Sequence, residues 1–242
     1  MLSKNMARCI AKISGDGNLY YRYVRYSNTC KELREEFKQD IINEFGKITL
    51  TEGIGNSGTS FVQVNRQFVI KKFLQYLPDY RSDFIFVPEE IKNSNIEIIK
   101  EYIRAFYDDE GSPSLRLTKG GIEWKRSISL TSNSLRMLNE VKKLLFTNFR
   151  IFTNKIIRTN SNNQDDRSFV LNITGKENFI KFKHYIGFKH PIKIARLDLI
   201  IRSYSATPKR NRKEFLRLKE ELLKLRRQLS LLPARSQYNK ER

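Results

Sequence analysis

Two acidic residues, Asp16 and Glu110, occupy matching places in two short stretches of the chain that lie 94 residues apart. The stretches are IAKISGDGNL and IRAFYDDEGS, and each carries small or apolar residues followed by an acid and a glycine. A single Asp-Gly or Glu-Gly pair after a helix is ordinarily only a C-terminal turn. Two copies indicate a shared role. If the two predicted helices pack on each other, the carboxylates lie side by side, and they repel each other unless a cation lies between them. The pair therefore predicts a metal site.

The elements that must position these acids also occur twice. Ala11 and Gly15, and likewise Ala105 and Asp109, lie four residues apart on one face of a predicted helix, where small residues let two helices approach closely. An alternating run follows each acid, and then come an amphipathic helix, two more strands and a closing helix. In the second half the glycines at 120–121 predict a hairpin turn. The order α-β-β-α-β-β-α thus appears twice and predicts an α+β fold with two similar halves.

The segments follow from the same patterns. The chain divides into residues 1–96, residues 97–202 and an extension of residues 203–242. The predicted amphipathic helices are KELREEFKQDIINEF and LRMLNEVKKLLF, the later strands are KITLTEG, SFVQVN, RIFTNKIIRT and RSFVLNI, and the closing helices are RQFVIKKFLQYL and KENFIKFKHYIG. Each half has the size of a small domain of roughly 100 residues.

Charge is the outlying feature of the composition. The 242-residue chain has 46 Lys and Arg against 26 Asp and Glu, which gives a net charge of +20. Of this charge, +3 lies in residues 1–96, +9 in residues 97–202 and +8 in residues 203–242. Such an excess favours a polyanionic partner, most simply a nucleic acid, and a solvated basic surface is the alternative.

Cysteine usage and hydropathy exclude several classes of protein. Cys9 and Cys30 stand in neither a CxxC nor a Cys/His spacing, which argues against disulfide scaffolding and structural zinc. No apolar run approaches the roughly 20 residues of a membrane span. The N-terminus lacks the apolar region of a signal peptide. We therefore expect an intracellular, cytoplasmic protein without a membrane partner.

The nonapeptides Cys9–Gly17 (CIAKISGDG) and Ile103–Gly111 (IRAFYDDEG) resemble the repeated motif of the LAGLIDADG homing endonucleases, in the single-chain type that carries two motifs. The second is the closer match, because the first has Cys9 at the usual Leu and Lys12 at an apolar position. The resemblance covers about residues 6–200 and is greatest to archaeal intron-encoded members.

This resemblance implies both a fold and an activity. Two pseudo-symmetric halves with saddle-shaped antiparallel sheets lie along the DNA major groove, in a monomer with internal pseudo-two-fold symmetry. Asp16 and Glu110 bind Mg²⁺ or another divalent cation such as Mn²⁺, and each supports hydrolysis of one strand of a long double-stranded site. The resemblance therefore implies a site-specific DNA endonuclease.

Polar and basic residues flank the metal-binding acids in this family. Asn28, at the end of the first hairpin, matches the amide position of the first half, and Thr131 is taken as its counterpart in the second. Lys193, and Arg81 in the matching first-half loop, are the candidates for the auxiliary basic residues. A solvated surface charge is the alternative interpretation of both.

Phosphodiester hydrolysis fits a pair of carboxylates. The reaction needs an activated water, a neutralised phosphate oxygen and a stabilised leaving alkoxide. Mg²⁺ can supply all three, and it prefers a few carboxylate oxygens together with water and phosphate. No catalytic histidine is required, and His190 is interpreted as a surface or packing residue.

The strands after each motif carry the candidates for DNA recognition. Strand side chains alternate between two faces, so Leu115, Leu117, Ile128 and Leu130 point to the core and the polar residues between them point outward. Arg and Lys pair with guanine, Glu with the cytosine amine, and Ser or Thr with several base edges. The predicted base-contacting residues are Ser114, Arg116, Thr118, Glu123, Lys125, Ser127 and Ser129 in the second half and Tyr20, Arg22 and Arg25 in the first. Cross-strand packing is the alternative for Tyr20.

The extension of residues 203–242 lies beyond both motif-bearing halves. Apolar residues recur along it at spacings of three and four, namely Phe215, Leu218, Leu222, Leu225, Leu229 and Leu232. This stripe is short for an independent coiled coil. We expect a helix that packs on the body, with pairing to another chain and contact of its basic face with flanking DNA as the alternatives.

Two other functions fit the same scaffold. A splicing maturase would bind intron RNA without needing the paired acids, and a regulator would use the fold only to bind DNA. The intact Asp16 and Glu110 favour the nuclease over both. A protein with nuclease and maturase activities would have the same sequence features.

Overall fold

The computed structural model describes residues 2–118, 123–159, 168–207 and 211–230. These residues form two four-stranded antiparallel sheets with helices packed on them, which confirms the α+β fold with two similar halves. The predicted turn at 120–121 and Leu232 of the predicted stripe lie outside the described residues.

The first half begins with the helix of the first motif. Its elements are α1 (Lys4–Ser14), β1 (Gly17–Tyr20), β2 (Tyr23–Ser27), α2 (Lys31–Phe45), β3 (Thr51–Ile54), β4 (Ser60–Val64) and α3 (Gln67–Leu74), followed by the short helix α4 (Glu89–Lys92). The strand predicted in KITLTEG begins only at Thr51, where pairing with Gln63 of β4 starts.

The second half repeats this order and then extends it. Its elements are α5 (Ile96–Glu110), β5 (Gly111–Leu117), β6 (Trp124–Ser132), α6 (Leu135–Phe149), β7 (Ile157–Arg158), β8 (Phe169–Ile173), α7 (Lys176–Tyr185), α8 (Pro191–Arg202) and α9 (Arg212–Ser230). None of the helices in the described ranges is both long and apolar enough to cross a membrane.

One predicted strand is largely wrong. In RIFTNKIIRT only Ile157–Arg158 is a strand, and Thr153 adds a single bridge to Ile173. This segment forms the edge of its sheet, where only one side offers a backbone partner, and Phe152 and Ile157 are exposed there. The exposed apolar side chains of this edge segment have the same sequence pattern as a buried strand, and the pattern therefore predicted a longer strand than the structure contains.

Each sheet has one buried and one open face. The strand order is β1-β2-β4-β3 in the first sheet and β5-β6-β8-β7 in the second. Val24 and Tyr26 of β2, like Ile128 and Leu130 of β6, are completely buried. The residues between them are only partly buried, so the alternation predicted for the strands is confirmed.

The two motif helices begin at polar caps and end beside each other. The Ser3 hydroxyl accepts a hydrogen bond from the Met6 amide at 2.9 Å, and the Asn95 side chain accepts from the amides of Glu97 and Ile98 at 3.1 Å. The stretches that follow are amphipathic, and each helix buries its apolar face against the other motif helix and the sheet of its own half.

Candidate active site and nucleic-acid interface

The two motif helices pack against each other at the ends that carry the acids. Helix α1 ends at Ser14, so Asp16 lies in the turn beyond it, whereas Glu110 is the last residue of α5. A β-carbon at Gly15 would lie only 2.8 Å from the β-carbon of Asp109. Glycine is therefore the residue that lets the two helix ends approach this closely.

Asn28 joins the two motifs through its side-chain amide. Its Nδ2 donates to Asp16 Oδ2 at 2.8 Å and to Asp109 Oδ1 at 3.3 Å. Its Oδ1 accepts from the Cys30 amide at 2.8 Å, which fixes the orientation of the group. The residue predicted from the sequence as an auxiliary to Asp16 thus contacts both an acid of the first motif and an acid of the second.

A third carboxylate, that of Asp109, lies in this cluster and was not predicted. The Tyr26 hydroxyl donates to Asp109 Oδ1 at 2.6 Å. Burial and, after it, the negative charge of Asp16 raise the pKa of Asp109 well above its usual range. The one sequence signal was an acid at a motif position where the first half has the small Gly15.

The strand register shows which residues correspond between the halves. Gly17 pairs with Tyr26, and Gly111 pairs with Leu130. Counting two residues onward from each, Asn28 corresponds to Ser132. The assignment of Thr131 as the counterpart of Asn28 is therefore wrong by one position.

Further contacts support this register. The Ser132 hydroxyl accepts from the Ser134 amide at 3.1 Å, just as the Asn28 side chain accepts from Cys30. The residues beside Asp16 therefore differ in chemistry from those beside Glu110. The first half has Tyr26 and Asn28 where the second half has Leu130 and Ser132.

Lys193 lies at the end of the second motif helix. Its ammonium donates to the carbonyl oxygens of Tyr107 at 3.2 Å and Asp109 at 3.3 Å, and to that of Asp108. A cation at this position complements the negative end of the α5 dipole. One of the carbonyl groups that it contacts belongs to Asp109, the residue directly before Glu110. Arg81, in contrast, is 68% exposed, pairs with Asp79 and lies over the Phe84 ring.

Asp108 is a structural acid. It accepts hydrogen bonds from the amides of Lys189 at 2.9 Å and His190 at 3.0 Å, and it pairs with Arg104 at 3.0 Å. These bonds fix the start of α8, which carries Lys193. Burial lowers the pKa of His190 to about 4, so this histidine is neutral near pH 7. Its interpretation as a surface or packing residue stays a prediction.

Lys12, the departure from an apolar motif residue, is fully buried but paired. Its ammonium lies 3.1 Å from a Glu36 carboxylate oxygen and 4.9 Å from the centre of the Tyr26 ring. Arg104 of α5 also pairs with Glu36, at 2.8 Å. The lysine therefore belongs to an ion-pair network that joins α1, α2 and α5 below the acid cluster.

The donor set fits a hard divalent cation. The Asp16 and Asp109 carboxylates are joined through one amide, and Glu110 directly follows Asp109. Within the described ranges no group of three or more His, Cys, Asp or Glu side chains has the arrangement of a metal cage. An open set of a few carboxylate oxygens is what Mg²⁺ uses when water and phosphate supply its other ligands.

The open faces of both sheets carry polar side chains. In the second sheet Arg116, Glu123 and Lys125 are exposed, and Ser114, Ser127 and Ser129 are partly exposed, as predicted. In the first sheet Tyr20 and Arg22 are exposed, whereas Arg25 is held by Gln63 at 2.7 Å and lies over the Phe61 ring. The polar residues that sequence analysis missed on these faces include Asn18, Gln63, Ser112 and Asn172.

Replacing Asp109 by Asn is expected to stabilise the metal-free protein at neutral pH. The folded-state pKa of Asp109 is raised, so its contribution to stability is fully present below the unfolded pKa of about 3.9 and is lost as the pH rises through the folded pKa. The Asn variant should therefore gain about 1–3 kcal/mol near pH 7 and nothing near pH 3.

Thermal melts in EDTA between pH 3 and pH 8 measure this difference. The exposed Asp83→Asn substitution is the matched control and should follow the wild type at every pH. A stability difference for Asp109→Asn that stays constant with pH would contradict a buried, charge-destabilised carboxylate.

Comparison with known proteins agrees with this architecture. Residues 97–187, in the second half of the chain, match the family described as "LAGLIDADG-like domain". The structure of the homing endonuclease I-DmoI in complex with DNA and Ca is similar with a TM-score of 0.58 and 20% identity, over 81% of this chain and 97% of that one. Its complex with DNA and Mn gives a TM-score of 0.55 at 17% identity, over 76% of this chain and 96% of that one.

Two further relatives share the fold or part of the sequence. Full-length DUF199/WhiA from Thermatoga maritima is similar with a TM-score of 0.52 and 13% identity, over 95% of this chain and 70% of that one. A glutamine–fructose-6-phosphate aminotransferase from Methanocaldococcus jannaschii is 26% identical over 202 residues, which are 81% of this chain. This chain spans only 17% of that aminotransferase. The two-halved fold is therefore that of the single-chain, two-motif LAGLIDADG homing endonucleases.

Proposed function

We propose that this chain, which has the two-halved LAGLIDADG fold, is a site-specific DNA endonuclease that makes a metal-dependent double-strand break in a long target. Residues 1–96 and 97–202 act as its two halves, and the protein works as a monomer. The neighbouring I-DmoI structures contain target DNA, which supports a DNA substrate, and the similar aminotransferase segment comes from an archaeon, which supports an archaeal origin. An intron-encoded origin stays a prediction.

The observation that carries this proposal is the carboxylate cluster between the two motifs. Asn28 bridges Asp16 and Asp109 at the ends of two helices that separate two sheets with open polar faces. A duplex laid across both sheets would place its backbone against these helix ends. Each DNA strand would then lie beside the metal-binding carboxylate of one half.

In this function Asp16 and Glu110 would hold the divalent cation, Mg²⁺ or Mn²⁺. When bound, it would activate a water molecule and offset the charge of the phosphate and of the leaving oxygen. Asn28 orients the Asp16 carboxylate through its 2.8 Å bond. Lys193, held on the last carbonyls of α5, fixes the backbone that carries Glu110 and adds positive charge beside the phosphate.

A cleavage selection tests the proposal. The protein is incubated with Mg²⁺ and a library of long double-stranded sequences, and the cut ends are sequenced. We expect cuts in both strands at one defined site, and none in EDTA. Sequence-specific binding without cutting would support the non-cleaving regulator instead, and preferential binding of intron RNA would support the maturase.

Arg116→Ala is expected to weaken binding of the selected target by roughly 1–3 kcal/mol and to relax the preference at one base pair. Arg116 is exposed on the open face, and Ser114 accepts from its Nε at 3.1 Å, which directs the guanidinium outward. Binding is measured against all single-base variants of the target, with Lys176→Ala at the start of α7 as the control. Equal weakening for every variant would show a phosphate contact instead.

A further inference from the structure

The hairpin of the second half is longer than that of the first. Strands β5 and β6 form seven residue pairs from Gly111 onward, whereas β1 and β2 form four from Gly17. The three additional pairs are Leu115–Arg126, Arg116–Lys125 and Leu117–Trp124. They carry the two cations of the second half that are predicted to contact bases, Arg116 and Lys125.

The segment after residue 202 packs on these additional pairs. The indole Nε1 of Trp124 donates to the Ala206 carbonyl at 2.8 Å, and its ring lies 5.2 Å from that of Phe215 in α9. Leu218 and Leu222 of α9 are buried against the body as well. The predicted packing of this extension on the body is therefore what the structure shows for its described residues.

Arg126, the other inward residue that β6 contributes to the additional pairs, is held by the same segment. Its Nε donates to the Ser203 hydroxyl at 2.6 Å, its Nη2 donates to the Ser203 carbonyl at 2.9 Å, and its guanidinium lies 4.1 Å from the centre of the Tyr204 ring. Helix α9 is anchored in turn, because Arg202 pairs with Glu214 at 2.6 Å and with Glu221 at 2.9 Å.

Strand geometry transmits this support to the open face. Lys125 lies between Trp124 and Arg126 in sequence, and alternate residues of a strand point to opposite faces. The backbone that presents Lys125 and its partner Arg116 is therefore fixed by the two inward side chains on either side. Within the described residues, the shorter first hairpin ends at the Tyr20–Tyr23 pair, without additional pairs of this kind.

We infer that residues 203–207 and helix α9 form a specificity element, which holds the outer end of hairpin β5–β6 so that the second half reads base pairs beyond those read by the first. Three pairs extend a strand by about 10 Å, or roughly three base pairs of DNA. The target should accordingly be asymmetric, with its longer part under the second half. Trp124 and Phe215 are positioning residues here. The inference rests on the proposed DNA recognition but not on cleavage.

Phe215→Ala tests the inference, with Leu216→Ala as the matched control, since Leu216 is the next residue of α9 and is 48% exposed. Binding to all single-base variants of the target is measured in EDTA. For Phe215→Ala we expect the discrimination at the outer base pairs of the second half-site, normally about 5- to 100-fold per pair, to fall towards one. Discrimination in the first half-site should remain, and Leu216→Ala should match the wild type.

Three outcomes would overturn the inference. One is unchanged discrimination in a Phe215→Ala protein that melts cooperatively, and another is an equal loss across both half-sites. The third is a lower salt dependence of binding with discrimination intact, which would mark α9 as a direct phosphate contact. If Phe215→Ala fails to fold, Trp124→Phe keeps the ring and removes the bond to Ala206, and the same half-site loss is expected.

The proposed nuclease activity and this inference are tested independently of each other. A protein that shows the half-site pattern in EDTA but cuts no DNA with Mg²⁺ would retain the specificity element and lose the enzymatic assignment. A protein without any sequence preference for DNA would overturn both.

Discussion

Replacing Asp16 by Asn, or Glu110 by Gln, is expected to abolish double-strand cleavage while leaving DNA binding largely intact. Each change keeps the size of the side chain and removes the charge that holds the cation. Loss of that interaction is worth several kcal/mol in the transition state, so cleavage should fall by roughly 1000-fold or more. Binding should persist because the open faces of the sheets are unchanged.

Supercoiled plasmid carrying the selected target separates nicked from linear product in this experiment. If each acid serves one strand, as proposed, any nicks should fall on opposite strands in the two variants. Glu97→Gln is the control, because Glu97 lies in the first turn of the same helix as Glu110 and is half exposed. Full cleavage by either active-site variant would show that these carboxylates do not hold the metal.

Gly111→Ala and Gly17→Ala are each expected to destabilise the fold by about 3 kcal/mol. A β-carbon at Gly111 would lie 2.4 Å from the Tyr107 carbonyl oxygen, and one at Gly17 would lie 2.3 Å from the Ile13 α-carbon. These are backbone atoms of the motif helices, so a rotamer change cannot relieve the overlap. The helix end that carries each acid has to move instead.

Chemical denaturation gives the free energy of unfolding for these variants. Gly55→Ala is the matched control, because the nearest atom to its added β-carbon is the Thr59 carbonyl oxygen at an ordinary 3.5 Å. We expect this control to lie within about 0.5 kcal/mol of the wild type. Wild-type stability of Gly111→Ala would show that the end of α5 is freer to adjust than its packing indicates.

The sequence determined the repeated architecture because its signals are local. Hydrophobic period, cap residues and glycines depend on neighbours a few positions away, and the helices KELREEFKQDIINEF and LRMLNEVKKLLF appear at Lys31–Phe45 and Leu135–Phe149. The alternation of β5 and β6 likewise indicated which side chains face outward. Edge strands were less certain, since β7 shares its apolar composition with buried strands but has only one partner.

Contacts between the halves could not be obtained in this way. Asp109 is an unremarkable acid in the sequence, and only the packing of α5 against Gly15 places it beneath Tyr26 and Asn28. Lys193 became a cap of α5 through the placement of α8, a helix that the sequence pattern did not predict.

The residue-by-residue correspondence between the two halves required the strand register of the structure in addition to the sequence. A one-residue shift separates Thr131 from Ser132 as the counterpart of Asn28, and it moves the assigned residue from the open face of the sheet to the buried face. Backbone pairing across the sheet decides the matter, because it fixes each residue relative to the motif glycine. Sequence alone determined that two acids lie at or just beyond the ends of two matching helices. Tertiary packing decided which side chains surround each acid and made the two surroundings different.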